Sequence, residues 1–326
     1  EPPRRRRSTE ENRESMTASE AEALKEMESK VSEMARRAGL MLAEYFGRGV
    51  QVEFKDKGKN RDPVTEADRR SQEFLRKEIE IHFPGHAILG EEKLCQEGER
   101  PEWVWVLDPL DGTTNFLRGF DIYGVSIGIL HHGRPVVGAI FLAGGAGGRG
   151  RVYHARVGGG AHLEGDRISV AKVDRPAPTL LVCVPGNYWK VFEMQSPLRK
   201  QPGELRGSGS IANDMARTAE GTFHYAIFAG PKIWDVAAGV LLVKEAGGEA
   251  LVRRGKGMKW RPLERFGRDF VSPPTSLEEL REWKGALIIG NKAITRFVGD
   301  NLRRPVRGRL SPKRNAGRMN LRKTSR

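Results

Sequence analysis

The sequence predicts a layered fold in which helices cover sheets, α+β in its first half and α/β in its second. Three observations carry that expectation. Helical periodicity recurs in several separate stretches, short apolar runs of strand length lie between them, and past residue 150 strands and helices alternate. The chain has 326 residues, above the single-core range of about 250–300, so one large domain or two packed ones are expected.

The elements follow in order. Thr17 and Glu20 are spaced as a capping box, and Leu24, Met27, Val31, Met34, Ala38, Leu42 and Tyr45 recur at helical spacing until Gly47 and Gly49. A second helix is expected with Thr65 as N-cap and Asp68 at its third position, running through Phe74, Leu75 and Ile79 to Pro84-Gly85. Ala87–Leu89, Val104–Leu107, Val125–Leu130 and Val136–Leu142 read as strands, the last two joined through His131-His132-Gly133-Arg134. Beyond the glycine-rich stretch 144–150, strands at Leu180–Val184, Phe223–Phe228 and Ala286–Ile289 alternate with helices at Ser210–Ala219, Val236–Ala246 and Ala293–Leu302. The basic, proline-bearing stretch 253–274 reads as a surface loop. The chain thus divides into an extension at 1–16, a half at 17–150, a half at 151–303 and a basic tail at 304–326.

Apolar residues make up 38% and charged residues 30%, which suits a globular protein and excludes a fibrous one. The longest apolar runs fall far short of the roughly 18–20 residues of a membrane helix. The net charge of +14 is unevenly placed. Residues 296–326 contribute +10, residues 253–268 contribute +6 and residues 1–15 contribute +1, leaving about −3 for the rest. The excess therefore belongs to a tail and a loop, as a solvated extension or a weak contact to nucleic acid. Cys95 and Cys183 make neither a disulfide framework nor a zinc site. The arginine run near the start precedes no apolar segment, so cytoplasm is the default expectation.

The segment Trp103-Val104-Trp105-Val106-Leu107-Asp108-Pro109-Leu110-Asp111-Gly112-Thr113-Thr114-Asn115-Phe116 carries the chemistry. An apolar strand delivers Asp108 to its carboxyl end, where ligands of layered α/β proteins commonly sit. Gly112 permits a sharp turn, and two carboxylates three residues apart can converge on a hard cation with the Leu110 carbonyl beside them. Glu91 follows the strand Ala87–Leu89, and Asp235 reads as the N-cap of the helix that follows Trp234. Four carboxylates around one pocket repel one another unless cations neutralise them, and oxygen-only ligands favour Mg²⁺ over zinc. Gly145-x-Gly147-x-x-Gly150 is followed by strand-like residues where a dinucleotide site needs a helix, so it is set aside.

DPLDGTTNF at 108–116, Gly90-Glu91-Glu92 and WDVAAGVLLVKEAGG at 234–248 together resemble the inositol monophosphatase family. Val64–Asp68, Ala155–Val170 and Ile288–Asn291 extend the resemblance over roughly residues 20–303. It implies an αβαβα sandwich of the sugar-phosphatase type and a Mg²⁺-dependent phosphomonoesterase that acts on a small phosphorylated metabolite, usually as a homodimer. It further implies two or three Mg²⁺ per site. Glu91, Asp108 and the Leu110 carbonyl would hold one, and Asp108, Asp111 and Asp235 a second, while Lys57 helps hold a weaker third. Thr113, oriented by Asp68, would position the attacking water with Glu91, and the Gly112 and Thr113 N–H groups would cradle the phosphate.

On the substrate side the chain departs from the family pattern. Seven positions before Asp235, where inositol-hydrolysing members carry an acid, this chain has Phe228. A phenyl ring accepts no hydrogen bond from a ring hydroxyl. Ser208, Ser210 and Ile211 at a helix start offer donors, and Lys232 or Arg199-Lys200 offer charge to a second anionic group. Inositol 1-phosphate is the family default. The alternatives are fructose 1,6-bisphosphate, a 3′-phosphoadenosine-type nucleotide and histidinol phosphate.

Overall fold

The Thr17 hydroxyl accepts the Glu20 N–H at 3.2 Å while the Glu20 carboxylate accepts the Thr17 N–H at 2.8 Å, the expected reciprocal cap. It opens α1 (Ala18–Tyr45), whose Leu24, Val31, Met34, Ala35, Ala38 and Leu42 are buried along one stripe. The computed structural model describes residues 17–47, 52–54, 63–91, 102–145, 148–186, 188–254 and 259–304. Lys57, Cys95, the 1–16 extension and the tail from 305 onward lie outside the described residues.

After α1 come β1 (Val52–Phe54), β2 (Pro63–Thr65) and α2 (Glu66–His82). Next are β3 (Ala87–Gly90), β4 (Trp103–Asp111) and the short α3 (Thr113–Leu117). The hairpin β5 (Gly124–His131) and β6 (Arg134–Leu142) leads into β7 (Arg151–Arg156), β8 (Gly160–Leu163) and β9 (Asp166–Arg167). Then follow β10 (Leu181–Cys183), α4 (Tyr188–Val191), β11 (Glu193–Met194) and β12 (Glu204–Arg206). Helix α5 (Ile211–Ala219), β13 (Tyr225–Phe228) and α6 (Ile233–Glu245) succeed them. The chain continues through β14 (Glu249–Arg253), β15 (Arg261–Pro262) and α7 (Leu277–Arg281). It closes with β16 (Ala286–Gly290), α8 (Lys292–Asp300) and β17 (Leu302–Arg303).

Seven strands form the first sheet in the order β3-β4-β5-β6-β7-β8-β9, parallel between β3 and β4 and antiparallel elsewhere. The connection at 143–150, where the sequence pattern changes, joins two paired strands, so the sheet runs on to Arg167. Six strands form the second sheet in the order β12-β10-β13-β16-β14-β15, parallel around β10 and antiparallel from β13 outward. Helices α1 and α2 share one core with the outer face of the first sheet. Helices α5 and α6 fill the layer between the sheets, and α8 covers the far face of the second. The layers are those of an αβαβα sandwich. Among the described residues no helix is long and apolar enough to cross a membrane.

Close approach fixes α6 to the first sheet. Gly128 and Gly138 lie opposite each other in β5 and β6. A Cβ on Gly128 would stand 2.8 Å from the Ala237 Cβ, and one on Gly138 would stand 3.0 Å from the Ala238 Cα. The paired glycines let the helix backbone settle against the strands and so set the depth of its second turn. Gly128→Ala is expected to overpack this contact and lower the unfolding free energy by about 1–3 kcal/mol, read by urea denaturation.

Two expectations need correction. The stretch 253–274 is more than a surface loop: Leu263, Phe266 and Phe270 are buried, and Phe266 and Phe270 pack edge-on against Trp283 at 4.9 and 6.4 Å. The charged residues between them face outward and hide this small apolar set from a composition-based reading. Strand β4 also continues past Asp108 through Pro109 to Asp111, with a register irregularity between Asp108 and Asp111 that absorbs the proline.

Candidate active site

The parallel pair β3/β4 brings two acids side by side. Gly90 lies opposite Leu107, and the Glu91 N–H donates to the Leu107 carbonyl at 3.2 Å, so Glu91 and Asp108 leave neighbouring strands at the same edge. The Arg281 guanidinium, on α7, donates to the Gly90 carbonyl at 3.0 Å and pins that strand end. Asp108 is buried, and its Oδ1 accepts the Leu110 N–H at 3.2 Å, which folds the carboxylate back over its own turn.

Asp111 is held from the layer between the sheets. One carboxylate oxygen accepts the Ser210 hydroxyl in a very short contact, and the other accepts the Ile211 N–H at 3.0 Å. Ser210 is the N-cap of α5 and its hydroxyl accepts the Asn213 N–H at 3.1 Å, so one side chain closes the helix and fixes the acid. Ser210→Ala is therefore expected to cost about 1–2 kcal/mol in urea unfolding at saturating Mg²⁺. Gly112 adopts φ +82° between Asp111 and α3, and a Cβ there would meet the Ile122 carbonyl at 2.9 Å. Asn115 secures the turn, donating to the Ile122 and Ser208 carbonyls at 2.8 Å each.

Asp235 is not the N-cap that its position after Trp234 suggested. Helix α6 begins at Ile233 with Lys232 as the capping residue, and Asp235, one turn in, accepts the Lys232 N–H at 2.7 Å. Asp68, at the first turn of α2, is 1% exposed and faces the same pocket. One turn on, Ser71 donates its hydroxyl to the Pro109 carbonyl at 2.9 Å and ties α2 to the motif strand. Thr113, which the resemblance pairs with Asp68, donates its hydroxyl to the Leu110 carbonyl at 2.9 Å.

The electrostatics of these acids point one way. Burial, and then Glu91, Asp111, Asp235 and Asp68, push Asp108 well above the usual carboxylate range. Burial lifts Asp111 to about 7 against the opposing hydrogen bonds from Ser210 and the backbone. Burial likewise lifts Asp235 to about 8, with Asp111 and Glu91 adding to it and the Lys232 N–H opposing. Such a set of buried like charges needs a compensating cation. Its donors are carboxylate and carbonyl oxygens only, the chemistry of a hard divalent ion.

Around this centre the substrate candidates separate. Ser208, Ser210 and Ile211 lie at the start of α5 beside Asp111. Phe228 is 4% exposed and belongs to the core between the sheets. Lys232 reaches over the Trp234 ring at 5.7 Å, with Arg281 at the same distance from that ring. Arg199 and Lys200 are exposed in the turn at 196–200. A separate cavity of ≈ 480 Å³ opens beside Ser208 and Asn213, with Arg206 and Arg217 in its wall and none of the four acids. Ser71 and Arg281 escaped the sequence reading: each acts through a backbone carbonyl distant in sequence, and no local pattern announces that. Asn115 was visible only as part of the motif.

Comparison with known proteins gives the family. The model of the inositol monophosphatase family matches residues 23–281. An inositol-1-monophosphatase of Mesorhizobium japonicum is 31% identical over 84% of this chain and 95% of its own length. A fructose-1,6-bisphosphatase/inositol-1-monophosphatase of Aquifex aeolicus is 33% identical over 66% of this chain and 81% of its own. The crystal structure of the extragenic suppressor protein suhB of Bartonella henselae superposes with a TM-score of 0.65 at 25% identity, over 85% of this chain and 98% of that one. With the family's motifs in order along its length, the chain belongs to the inositol monophosphatase family, whose members are metal-dependent, and is a phosphoric monoester hydrolase.

Proposed function

We propose that this chain hydrolyses a small phosphorylated polyol with Mg²⁺, inositol 1-phosphate first among its substrates. The observation that carries the reading is the convergence of Glu91, Asp108, Asp111 and Asp235 on one buried, oxygen-only pocket beside the Gly112 turn. Glu91, Asp108 and the Leu110 carbonyl would hold one Mg²⁺, and Asp108, Asp111 and Asp235 a second, with Lys57 as helper at a third. When bound, the ions supply the positive charge that acidifies water and neutralises a departing oxygen.

The chain's own groups do the positioning. Thr113 has its proton committed to the Leu110 carbonyl, so its oxygen presents only lone pairs and accepts a hydrogen bond from the attacking water. Glu91 receives that water's proton, and Asp68 supports the same corner. The Gly112 and Thr113 N–H groups at the start of α3 would donate to the phosphate oxygens and meet the charge that builds on them. As the new P–O bond forms, the bond to the polyol oxygen breaks in line, and that oxygen leaves as the alcohol after taking a proton from solvent water, while Glu91 returns its proton to solvent.

Phe228 favours a second reading of the substrate. An apolar residue stands where the family resemblance implies an acid in inositol-hydrolysing members, and the Aquifex aeolicus relative is named for fructose 1,6-bisphosphate as well. Lys232 beside Trp234 supports a substrate with a second anionic group. The experiment is a phosphate-release screen over inositol 1-phosphate, fructose 1,6-bisphosphate, a 3′-phosphoadenosine nucleotide and histidinol phosphate at fixed Mg²⁺. Highest kcat/KM on inositol 1-phosphate supports the first reading; a preference for the bisphosphate replaces it with the second. No release from any of them, or release undiminished in excess EDTA, sinks the proposal.

We further propose that the protein is a homodimer, supported by the exposed edge strand β12 with Leu205 and by the exposed Phe120, and that it works in the cytoplasm. A monomeric mass in sedimentation equilibrium would remove that assignment. The 11 Lys/Arg of residues 296–326 support a weak nucleic-acid contact, which truncation at 304 should abolish.

A further inference from the structure

Glu28 stands where the stripe of α1 calls for an apolar residue. It lies one turn beyond Leu24 and just before Val31 on the buried face, and it is 9% exposed. A carboxylate in that place needs partners, and the first sheet supplies them. His154 on β7 and His162 on β8 are direct antiparallel neighbours, with rings stacked at 5.3 Å and 19°. His154 Nδ1 lies 2.7 Å from Glu28 Oε1. One ligand atom from each of Glu28, His154 and His162 lies within 4.8 Å of the other two. His162 Nδ1 is buried and has no hydrogen-bond partner, an unsatisfied atom that an ordinary ion pair leaves unexplained.

We propose that Glu28, His154 and His162 form a transition-metal site of the Zn²⁺ class, distinct from the carboxylate pocket, which clips α1 to the β7–β8 hairpin. Two imidazoles and one carboxylate are the donor set that zinc selects and Mg²⁺ does not. Tetrahedral bonds of about 2.0–2.2 Å would set ligand atoms about 3.3–3.5 Å apart, within the present spread. The metal takes the place of the direct His154–Glu28 contact, and a water molecule completes the fourth position, since the His154 side chain is 21% exposed.

The surroundings fit, with one opposing feature. Arg156 Nε stands 3.1 Å from the second Glu28 oxygen, which orients the carboxylate and leaves Oε1 toward the histidines. Burial first and His154 second hold His162 below the ordinary histidine range, so it is neutral and ready to bind. Arg156 and Arg167 add positive charge nearby and weaken the site for any cation. The Arg36–Glu164 ion pair at 2.6 Å already joins α1 to the turn after β8, so occupancy reinforces an existing seam.

The test uses the full chain with Asp108→Asn in the carboxylate pocket, saturating Mg²⁺, and Co²⁺ alone as the probe. One equivalent of tetrahedral Co²⁺, seen by its visible d–d absorption and displaced by Zn²⁺, is expected. His162→Gln and Glu28→Gln should each weaken it at least about tenfold while far-UV circular dichroism stays unchanged. Zn²⁺ should raise the melting temperature of the parent and not that of His162→Gln. If Glu28→Gln does not fold, the partly exposed His162→Gln decides the question alone. Glu102 just before β4 and His131 and His132 at the β5–β6 turn form a second, more exposed group, so His131→Gln is the control. Absorption lost in His131→Gln but kept in His162→Gln, absorption kept in every variant, or no tetrahedral Co²⁺ at all overturns the proposal.

Discussion

Asp108→Asn is expected to reduce phosphate release by at least about a thousandfold and yet to yield a protein that melts higher than the parent in EDTA. Both effects come from one carboxylate. Asp108 sits at the centre of the acid group, buried, with Glu91, Asp111, Asp235 and Asp68 all raising the cost of its charge. Removing that charge relieves its neighbours, so the cation-free fold gains stability. It also removes the one ligand that both proposed cation positions share, so the chemistry fails. The asparagine keeps the volume and retains an oxygen for the Leu110 N–H, which leaves the turn intact. Phosphate release at fixed Mg²⁺ and a thermal melt in EDTA read the two effects separately. Activity within tenfold of the parent would remove Asp108 from the site, and a variant that melts lower in EDTA would show that its charge is already compensated.

Much of this centre was legible because its parts are local. The apolar run before Asp108 and the glycine after Asp111 describe a strand that ends in a turn, and the structure builds both. The capping box at Thr17 is likewise a four-residue signal and appears as expected. Asp235 was misplaced because Lys232 is an unusual capping residue, while an acid at the third helical position and one at the cap look alike in sequence. Phe266, Phe270 and Trp283 were illegible for a different reason: they bury against one another across irregular backbone, where no period of two or 3.6 exists to reveal them. Glu28 is the opposite case. The period of α1 was plain, but only the histidines of β7 and β8, more than 120 residues away, show why a charge occupies its buried face.

Raising the pH from about 4 to 8 should weaken the cation-free protein progressively, and Mg²⁺ should restore more stability at pH 8 than at pH 5. The sign follows from proton counts. An unfolded aspartate ionises near 4, while Asp111 and Asp235 in the fold hold their protons to about 7 and about 8. Between those values the unfolded chain binds fewer protons than the native one, so stability falls as pH rises through them. For Asp111 alone the full loss is roughly 4 kcal/mol, and Asp235 and Asp108 act in the same direction. A cation that needs these oxygens ionised must displace their protons. Binding should therefore release more protons at pH 6 than at pH 9, and Mg²⁺ affinity should climb across the same interval. Calorimetric titration of Mg²⁺ in two buffers of different ionisation enthalpy measures the release directly. Equal heats in both buffers at pH 6, together with a pH-independent melting temperature in EDTA, would mean that the acids are ionised before the cation arrives. The neutralising charge would then come from the chain itself, and Asp108 would be held by side chains rather than by Mg²⁺.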